Sequence, residues 1–448
     1  MSSRGGTKNL GNLLKCSVKR CWAFTHRKSK CRAGGVFGPG VYAMSKERSR
    51  SDMGRSGRLR RRLIWISVLL PAALVVDWIV QAHFADTIQP PKLAMPHPNA
   101  YDAFVRAAAS LKPMSGDANV DLRANRSALA AFHAAIGKPC QFPLTRYGNW
   151  SFNIDRQLAL IKLVIAEGQS CAADGERRRA ADCYLDVIEQ GDMAARNSDV
   201  RGEILSMFDY TYATRPMDDL LDRCDERTAR HTAERLGTLI HGMTPDYRAL
   251  AFESVHQRLF LQDWSKGRVG SSIYDWWVVW PPVASSPAQG MKETCWRLYF
   301  QINRAAVLRS IDEGWRRDAE WLKRPVYARG PAPAPPSDPF VRNMVGDDHS
   351  IDMSCNLGLA NLKVLAAKAA LRAYRLRHGR YPATLADLRL DPSLTSDPFR
   401  DGPLFYRRGD SPDCDSKGYN LWSVGVHGNN ARGRDPYGSS ISEHVRRP

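Results

Sequence analysis

The chain contains 448 residues, 43% of them hydrophobic, and carries a formal net charge of +19. This length is enough for two or more hydrophobic cores. The charge is concentrated at one end: residues 1–62 contain 17 Lys and Arg but 2 Asp and Glu, whereas residues 63–448 contain 48 and 44. Because most of the chain is close to charge balance, it lacks the basic surface of a nucleic-acid-binding protein, and we expect no nucleic-acid partner.

A basic cluster stands directly before an apolar run. Arg58 and Arg60–Arg62 precede Leu63–Val80, a run of 18 residues with one charged member, Asp77. A helix needs ~20 such residues to cross a bilayer, and positive residues mark its cytoplasmic end. We therefore expect an inner-membrane, single-pass protein that contacts the membrane through residues 63–80. Its N-terminus would be cytoplasmic and the bulk of the chain periplasmic.

Two other interpretations of residues 63–82 stay open. The small residues at Val80–Ala82 resemble a cleavage site, which would make the segment a cleaved export signal, and the run also fits a buried helix of a soluble domain. Residues 1–62 are predicted as a disordered basic tail. Translation starting at Met44 or Met53 is a further alternative, and from Met53 the chain would have the usual shape of an export signal.

The tail also contains three cysteines and a histidine with four residues between successive members. These are ligand types of a zinc knuckle, but four intervening residues place the first two thiolates poorly for one metal ion. The residues are Cys16, Cys21, His26 and Cys31.

The exported part begins with a Pro-rich spacer, residues 83–98, followed by a predicted helical domain, residues 99–328. Apolar residues recur there at helical spacing, and Gly or Pro separates the segments. Helices are expected after a cap at Asn99, over Ala128–Ile136, on both sides of Asp174-Gly175 with an end near Gly191, and over Ile204–Tyr212, Thr228–Met243, Tyr247–Trp264 and Glu293–Trp315.

Helices with such short breaks favour antiparallel hairpins stacked side by side. The segment Leu158–Gly191 resembles one tetratricopeptide-like unit, although no period of about 34 residues repeats cleanly. Cys171 and Cys183 flank its turn, so the sequence leaves open either a disulfide across the hairpin or two buried thiols. The aromatic stretch at Tyr274–Trp280 fits either a docking surface or packing between helices.

A Pro-rich linker is predicted over residues 329–350, followed by a C-terminal module over residues 351–448. A long helix over Asn356–His378 would end at Gly379, before two short strands at Leu404–Tyr406 and Tyr419–Val424. A helix followed by a small antiparallel sheet is an α+β arrangement. The predicted fold is therefore mainly α, with one membrane helix, an all-helical hairpin body and a small α+β module.

The module resembles the soluble part of the major pseudopilin of type II secretion. The resemblance rests on four elements in the same order: AYRLRHGRYPATLADL, DPF, GPLFYRR and YNLWSVGVHGNN. It covers less than a fifth of the chain. Some 270 residues separate the predicted membrane helix from this module, and a pseudopilin cleavage site does not precede Leu63, so we expect no assembly as a pilus subunit. The overall layout also looks like that of uncharacterised bacterial envelope proteins with an anchor, a helical body and this module.

The pseudopilin resemblance also implies a calcium site in the last loop. The matching positions here are Asn429, Asn430 and Asp435, with Asp413 and Asp415 in the preceding loop. Calcium takes six to eight oxygen ligands, commonly with several carboxylates. The last loop offers few carboxylates, so the alternative is a cluster of self-bonded Asx and Gly turns. We therefore predict no cofactor other than this candidate calcium ion.

No catalytic or phosphate-binding motif occurs in the chain. His231, His241 and His256 are expected to be surface or hydrogen-bonded helix residues, and four aspartates to be helix-surface charges rather than cation ligands (Asp209, Asp218, Asp219 and Asp222). Two functions follow. The first is a non-enzymatic envelope scaffold or protein-interaction module, with a secretion-related role included. The second is an exported hydrolase whose site assembles only on folding. A deep polar cleft would favour the enzyme, and a concave surface without a pocket would favour the scaffold.

Overall fold

The structure is a computed structural model. It describes residues 92–143, 154–196, 198–243, 247–266, 287–342, 349–409, 418–425 and 442–444, with isolated positions at 72, 75 and 268. By its internal contacts the chain divides into Met1–Leu70 and Pro71–Pro448, and every described residue belongs to the second unit.

Most of the described chain is helical. In order, the longer elements are α1 (Ala100–Ala109), α2 (Ala118–Ala124), α3 (Arg126–His133), α4 (Ile154–Ala173), α5 (Arg177–Arg196), α6 (Val200–Leu221), α7 (Glu226–Gly242), α8 (Tyr247–Ser265) and α9 (Pro287–Leu322). Helix α9 bends at Asn303, whose backbone is not helical.

The C-terminal part combines helices with a small sheet. Its elements are a 3₁₀ turn (Val326–Ala328), α10 (Pro339–Arg342), α11 (His349–His378), a second 3₁₀ turn (Leu385–Leu388), α12 (Pro392–Thr395), β1 (Phe405–Arg408), β2 (Tyr419–Trp422) and β3 (Ser442–His444). The three strands are antiparallel, with β2 in the centre. The prediction of a mainly helical chain with a small C-terminal sheet is confirmed.

Local sequence signals explain where several helices begin and end. Asn99 caps α1 by accepting from the backbone N–H of Tyr101, as predicted. Gly175 has φ +83° between α4 and α5, and Gly379 has φ +72° directly after α11. Both glycines occupy the left-handed region that other residues avoid, which is why the predicted breaks lie at these points.

The predicted end of α5 near Gly191 was wrong. The helix continues to Arg196, because Gly191 is a packing site: a Cβ atom there would lie 2.9 Å from the Cβ of Asp209 on α6. Helix α6 is also longer than predicted and runs through Pro216 to Leu221. Sequence breakers are weak evidence where tertiary packing supports the helix.

The main hydrophobic core joins α1 and α3–α7 to α11. Tyr184 of α5 packs on Gly168 of α4, where an added Cβ would lie 2.4 Å from its ring. Helix α11 is buried on two sides: Leu362 and Ala366 belong to this core, whereas other residues face the small sheet. The helix of the C-terminal module is thus also a central helix of the body, and the domain boundaries at 328 and 351 stay predictions.

A second core lies between α8, α9 and α10. It contains Trp264, Phe300, Trp315 and the buried Phe340 and Val341. Phe340 and Val341 lie within the predicted linker, so this part of the linker packs against α8 and α9.

Several sequence predictions fall outside the described residues. Among the residues that the structure does describe, none of the helices combines the length and the apolar character needed to cross a membrane. The predicted segment 63–80 lies almost wholly outside those residues, as do the tail cysteines and the aromatic stretch at Tyr274–Trp280.

Candidate functional site

A cleft of about 1020 Å³ opens between the helical body and the segment that follows α12. Its walls come from the ends of α5, α6 and α7, the turn after α9, the first half of α11 and residues 392–403. Regions far apart in the chain therefore contribute to one cavity, whose size suits a small molecule or a short peptide segment.

The helical wall of the cleft carries buried acidic and sulfhydryl groups. Glu203 lies in the first turn of α6, and its Oε2 is 3.6 Å from the thiol of Cys355 on α11. Asp192 on α5 forms a salt bridge with Arg196. Burial raises the pKa of Tyr210 well above its ordinary value, with further contributions from Asp192 and Glu203. This wall therefore presents negative potential to a ligand.

A buried amine of α11 also lines the cleft. The Nζ of Lys363 donates to the hydroxyl of Ser396 at 2.8 Å and to its carbonyl at 3.2 Å. Burial lowers the pKa of Lys363, and the charge of Asp397 opposes that effect. Asp397 in turn accepts from the hydroxyl of Ser423 at 2.7 Å and from the N–H of Val424 at 2.9 Å. These bonds connect the cleft wall to the end of β2.

Cations also line the rim of the cleft. Lys323 and Arg324 are exposed at the end of α9, and the guanidinium of Arg400 lies 4.2 Å from the ring centre of Phe405. Together with the carboxylates of Asp192 and Glu203, these cations make the cleft suited to a ligand that carries both signs of charge.

A serine and a histidine are hydrogen-bonded at the same rim. The Oγ of Ser393 lies 3.1 Å from Nε2 of His241, while Nδ1 of His241 lies 2.7 Å from the carbonyl of Gly237. Since a carbonyl only accepts, Nδ1 carries a hydrogen, and Nε2 accepts from Ser393 when it carries none. Asp391 also approaches Nε2, at 3.4 Å. The arrangement has the geometry of a serine with an oriented general base.

Another polar cluster connects α6 to α8. Asp199 caps α6 and forms salt bridges with Arg201 and with His256 of α8, all of them buried. Burial alone would raise the pKa of Asp199, but Arg201 and His256 hold it below its ordinary value. The expectation of a hydrogen-bonded His256 is confirmed. We interpret this cluster as the polar connection between the two cores.

The prediction of four surface aspartates was wrong for Asp209. Its side chain is fully buried against α5, neither carboxylate oxygen has a hydrogen-bond partner within the described chain, and burial raises its pKa. The Oδ1 atoms of Asp218 and Asp222 form ion pairs with the buried Nζ of Lys368, at 2.8 and 3.4 Å. The cation that these two residues hold is thus a lysine of the same chain, whereas Asp219 is exposed as expected.

Some of the remaining predicted sites lie outside the part of the chain that the structure describes. The calcium positions Asn429, Asn430 and Asp435, with Asp413 and Asp415, lie outside the described residues. Cys171 and Cys183 are buried free thiols, so the hairpin carries no disulfide between them. His231 forms a contact of 2.8 Å with Asp182, which agrees with a surface helix residue.

The principal groups of the cleft were missed by sequence reasoning. Glu203 and Cys355 are 152 residues apart, and so are His241 and Ser393. Neither pair forms a motif with a recognisable spacing. The one local signal was Lys363, a charged residue on the otherwise apolar face of α11. Comparison of the chain with protein-family models, with curated proteins and with solved structures finds no match.

Proposed function

We propose that this protein is a membrane-anchored envelope protein that binds a peptide segment of an envelope partner in its central cleft. The observation that carries the proposal is the cleft of about 1020 Å³, which is lined by the carboxylates of Asp192 and Glu203 and by the ammonium of Lys363. A peptide segment has apolar and charged side chains, and the cleft offers contacts for both, including Ile240 and Leu359.

The arrangement of the charged groups favours binding over chemistry. Asp192 is already paired with Arg196, and Glu203 contacts Cys355. His241 is the one histidine among the described residues that line the cleft, and it lies half-exposed at the rim. Groups held in this way attract and orient a ligand but are not placed for proton transfer at the centre of the cleft.

The proposal also assigns roles to the membrane segment and to the C-terminal module. Residues 63–80 would hold the protein in the inner membrane, with the N-terminus cytoplasmic and the cleft in the periplasm. The α4–α5 hairpin would be the tetratricopeptide-like unit of the body. The pseudopilin-like module would be a docking element and, with calcium in its last loop, a route to secretion-related partners.

Photo-crosslinking in the native envelope tests this binding function. A photoreactive residue replaces Leu359 inside the cleft, and in a control chain it replaces the exposed Lys138. We expect a defined adduct from position 359 that falls at least about tenfold when Glu203→Lys is added, because a like charge would repel a basic peptide side chain. Glu203→Gln should retain part of the adduct.

An adduct from position 138 alone, or one from position 359 that is indifferent to Glu203→Lys, would refute the cleft as the binding site. Circular dichroism of each purified variant confirms that the helices are retained. The adduct itself identifies the peptide segment of the partner by mass spectrometry.

A second candidate function is hydrolysis of an ester or amide, and the Ser393–His241 pair favours it. In that reaction the Oγ of Ser393 would attack the acyl carbon while its proton passes to Nε2 of His241. The imidazolium would then return this proton to the leaving group, and a water molecule activated by the same imidazole would release the acyl group as a carboxylic acid and restore Ser393.

A fluorophosphonate probe tests this chemistry directly. If the pair is reactive, the probe labels the full chain, and Ser393→Ala or His241→Ala abolishes the labelling. Ser396→Ala removes a neighbouring serine of the same cleft and should leave it intact. Absence of labelling, or labelling that survives Ser393→Ala, would exclude the hydrolase.

A further inference from the structure

A mixed cluster of metal-binding side chains lies away from the cleft, where α3, α4 and α5 meet. His133 comes from α3, Glu167 from α4, and Cys183 from α5. One ligand atom of each residue lies within 4.8 Å of the others. Three successive helices thus bring an imidazole, a carboxylate and a thiol to one point.

The two nitrogens of His133 face different carboxylates. Nε2 lies 3.1 Å from Oε2 of Glu167, and Nδ1 lies 2.5 Å from Oδ2 of Asp186. A histidine that binds a metal through one nitrogen commonly donates the hydrogen of the other to a carboxylate, which fixes the ring. Asp186 occupies this supporting position, so Nε2 is the nitrogen directed toward Glu167.

The nearby arginines contact the outer oxygens of the same carboxylates. Arg235 contacts Oδ1 of Asp186 at 2.5 Å, and Arg179 contacts Oε1 of Glu167 at 3.2 Å. The oxygens that face His133 are the opposite ones, Oδ2 and Oε2. The arginines therefore orient the two carboxylates and leave Oε2 of Glu167 on the side of the imidazole.

The electrostatics of the cluster favour a cation. The imidazole of His133 lies between the carboxylates of Glu167 and Asp186, near the thiol of Cys183. A divalent ion would balance the negative charge of these groups. His133 and Glu167 are partly buried and Cys183 is buried, so water screens this charge incompletely.

We propose that His133, Glu167 and Cys183 bind one Zn²⁺ ion, with a water molecule as the fourth ligand and Asp186 as the support of His133. Nitrogen and sulfur donors select zinc over calcium or magnesium. Donor atoms on a tetrahedral zinc ion lie roughly 3–4 Å apart, so only small movements of these side chains are needed. Binding releases the protons of the imidazole and of the thiol into solvent.

Zinc binding is measured on the full chain, purified in detergent without an affinity tag and titrated with zinc chloride. We expect one zinc per chain and, with cobalt(II) as substitute, the absorption bands of a tetrahedral ion with a thiolate ligand. His133→Ala and Cys183→Ser should each weaken binding at least about 100-fold, and Asp186→Asn about 10–100-fold.

Two matched variants are the controls. His231→Ala removes another histidine of the same surface, and Cys224→Ser removes another buried thiol, so both should bind zinc like the parent chain. A chain that retains no zinc after dialysis would overturn the site. Binding that is unchanged in His133→Ala and Cys183→Ser would overturn it equally, as would a cobalt spectrum without a thiolate band.

Discussion

Replacing Lys368 by Glu is expected to lower the free energy of unfolding by about 3–5 kcal/mol. Lys368 lies in the middle of α11 with 2% of its side chain exposed, and its ammonium is held by Asp218 of α6 and by Asp222 directly after that helix. The substitution would bury a carboxylate beside these two partly exposed ones, with no cation to balance it. Chemical denaturation followed by circular dichroism measures the loss.

Two further variants separate charge repulsion from packing. Lys368→Met keeps most of the side-chain volume, and Asp218 and Asp222 are exposed enough to be hydrated, so its cost should stay below about 1–2 kcal/mol. Lys138→Glu makes the same charge change at an exposed position and should be neutral within about 0.5 kcal/mol. If Lys368→Glu were as mild as Lys138→Glu, the buried pair would not hold α11 against α6.

Replacing Asp209 by Asn is expected to stabilise the protein at alkaline pH, by about 1–3 kcal/mol at pH 8. Burial raises the pKa of this carboxyl, so the folded chain keeps a proton that the unfolded chain loses near pH 4. Where the folded state binds more protons, stability falls as pH rises. The parent chain therefore loses stability from about pH 4 upward until the folded carboxyl ionises, and the Asn variant lacks this loss.

Denaturation at several pH values checks the sign of this effect. The advantage of Asp209→Asn should be smallest near pH 4–5 and should grow as pH rises. Asp219→Asn, at an exposed position on the same helix, should show no such growth. A stability difference for Asp209→Asn that does not change with pH would mean that the carboxyl ionises normally.

Many helix boundaries could be predicted because their causes are local. Asn99 caps α1, and Gly175 and Gly379 adopt positive φ at helix ends, so a few neighbouring residues determine these points. Strands β1 and β2 and the C-terminal helix could be predicted for the same reason, because the apolar pattern and the turn residues lie within each segment. The third strand, Ser442–His444, was not predicted, because a strand of three residues carries almost no pattern.

Gly191 and Asp209 show where local reasoning fails. A glycine is read as a break and an aspartate as a surface charge, yet here the two lie against each other between α5 and α6. Whether a residue is buried depends on which helix packs against it, and this is not written in its own segment. The same holds for Lys368, which the sequence shows as a helix residue and the fold places in an ion pair.

The sequence by itself determined the helical character of the body, the positions of the main helix ends and the charge asymmetry between residues 1–62 and the rest. These features depend on composition and on neighbours within a few residues. Only the tertiary structure decided that α11 lies at the centre, that Glu203 and Lys363 face one cleft, and that His133, Glu167 and Cys183 meet. The physical reason is that such contacts form between segments 16 to more than 150 residues apart, through packing whose geometry no local pattern encodes.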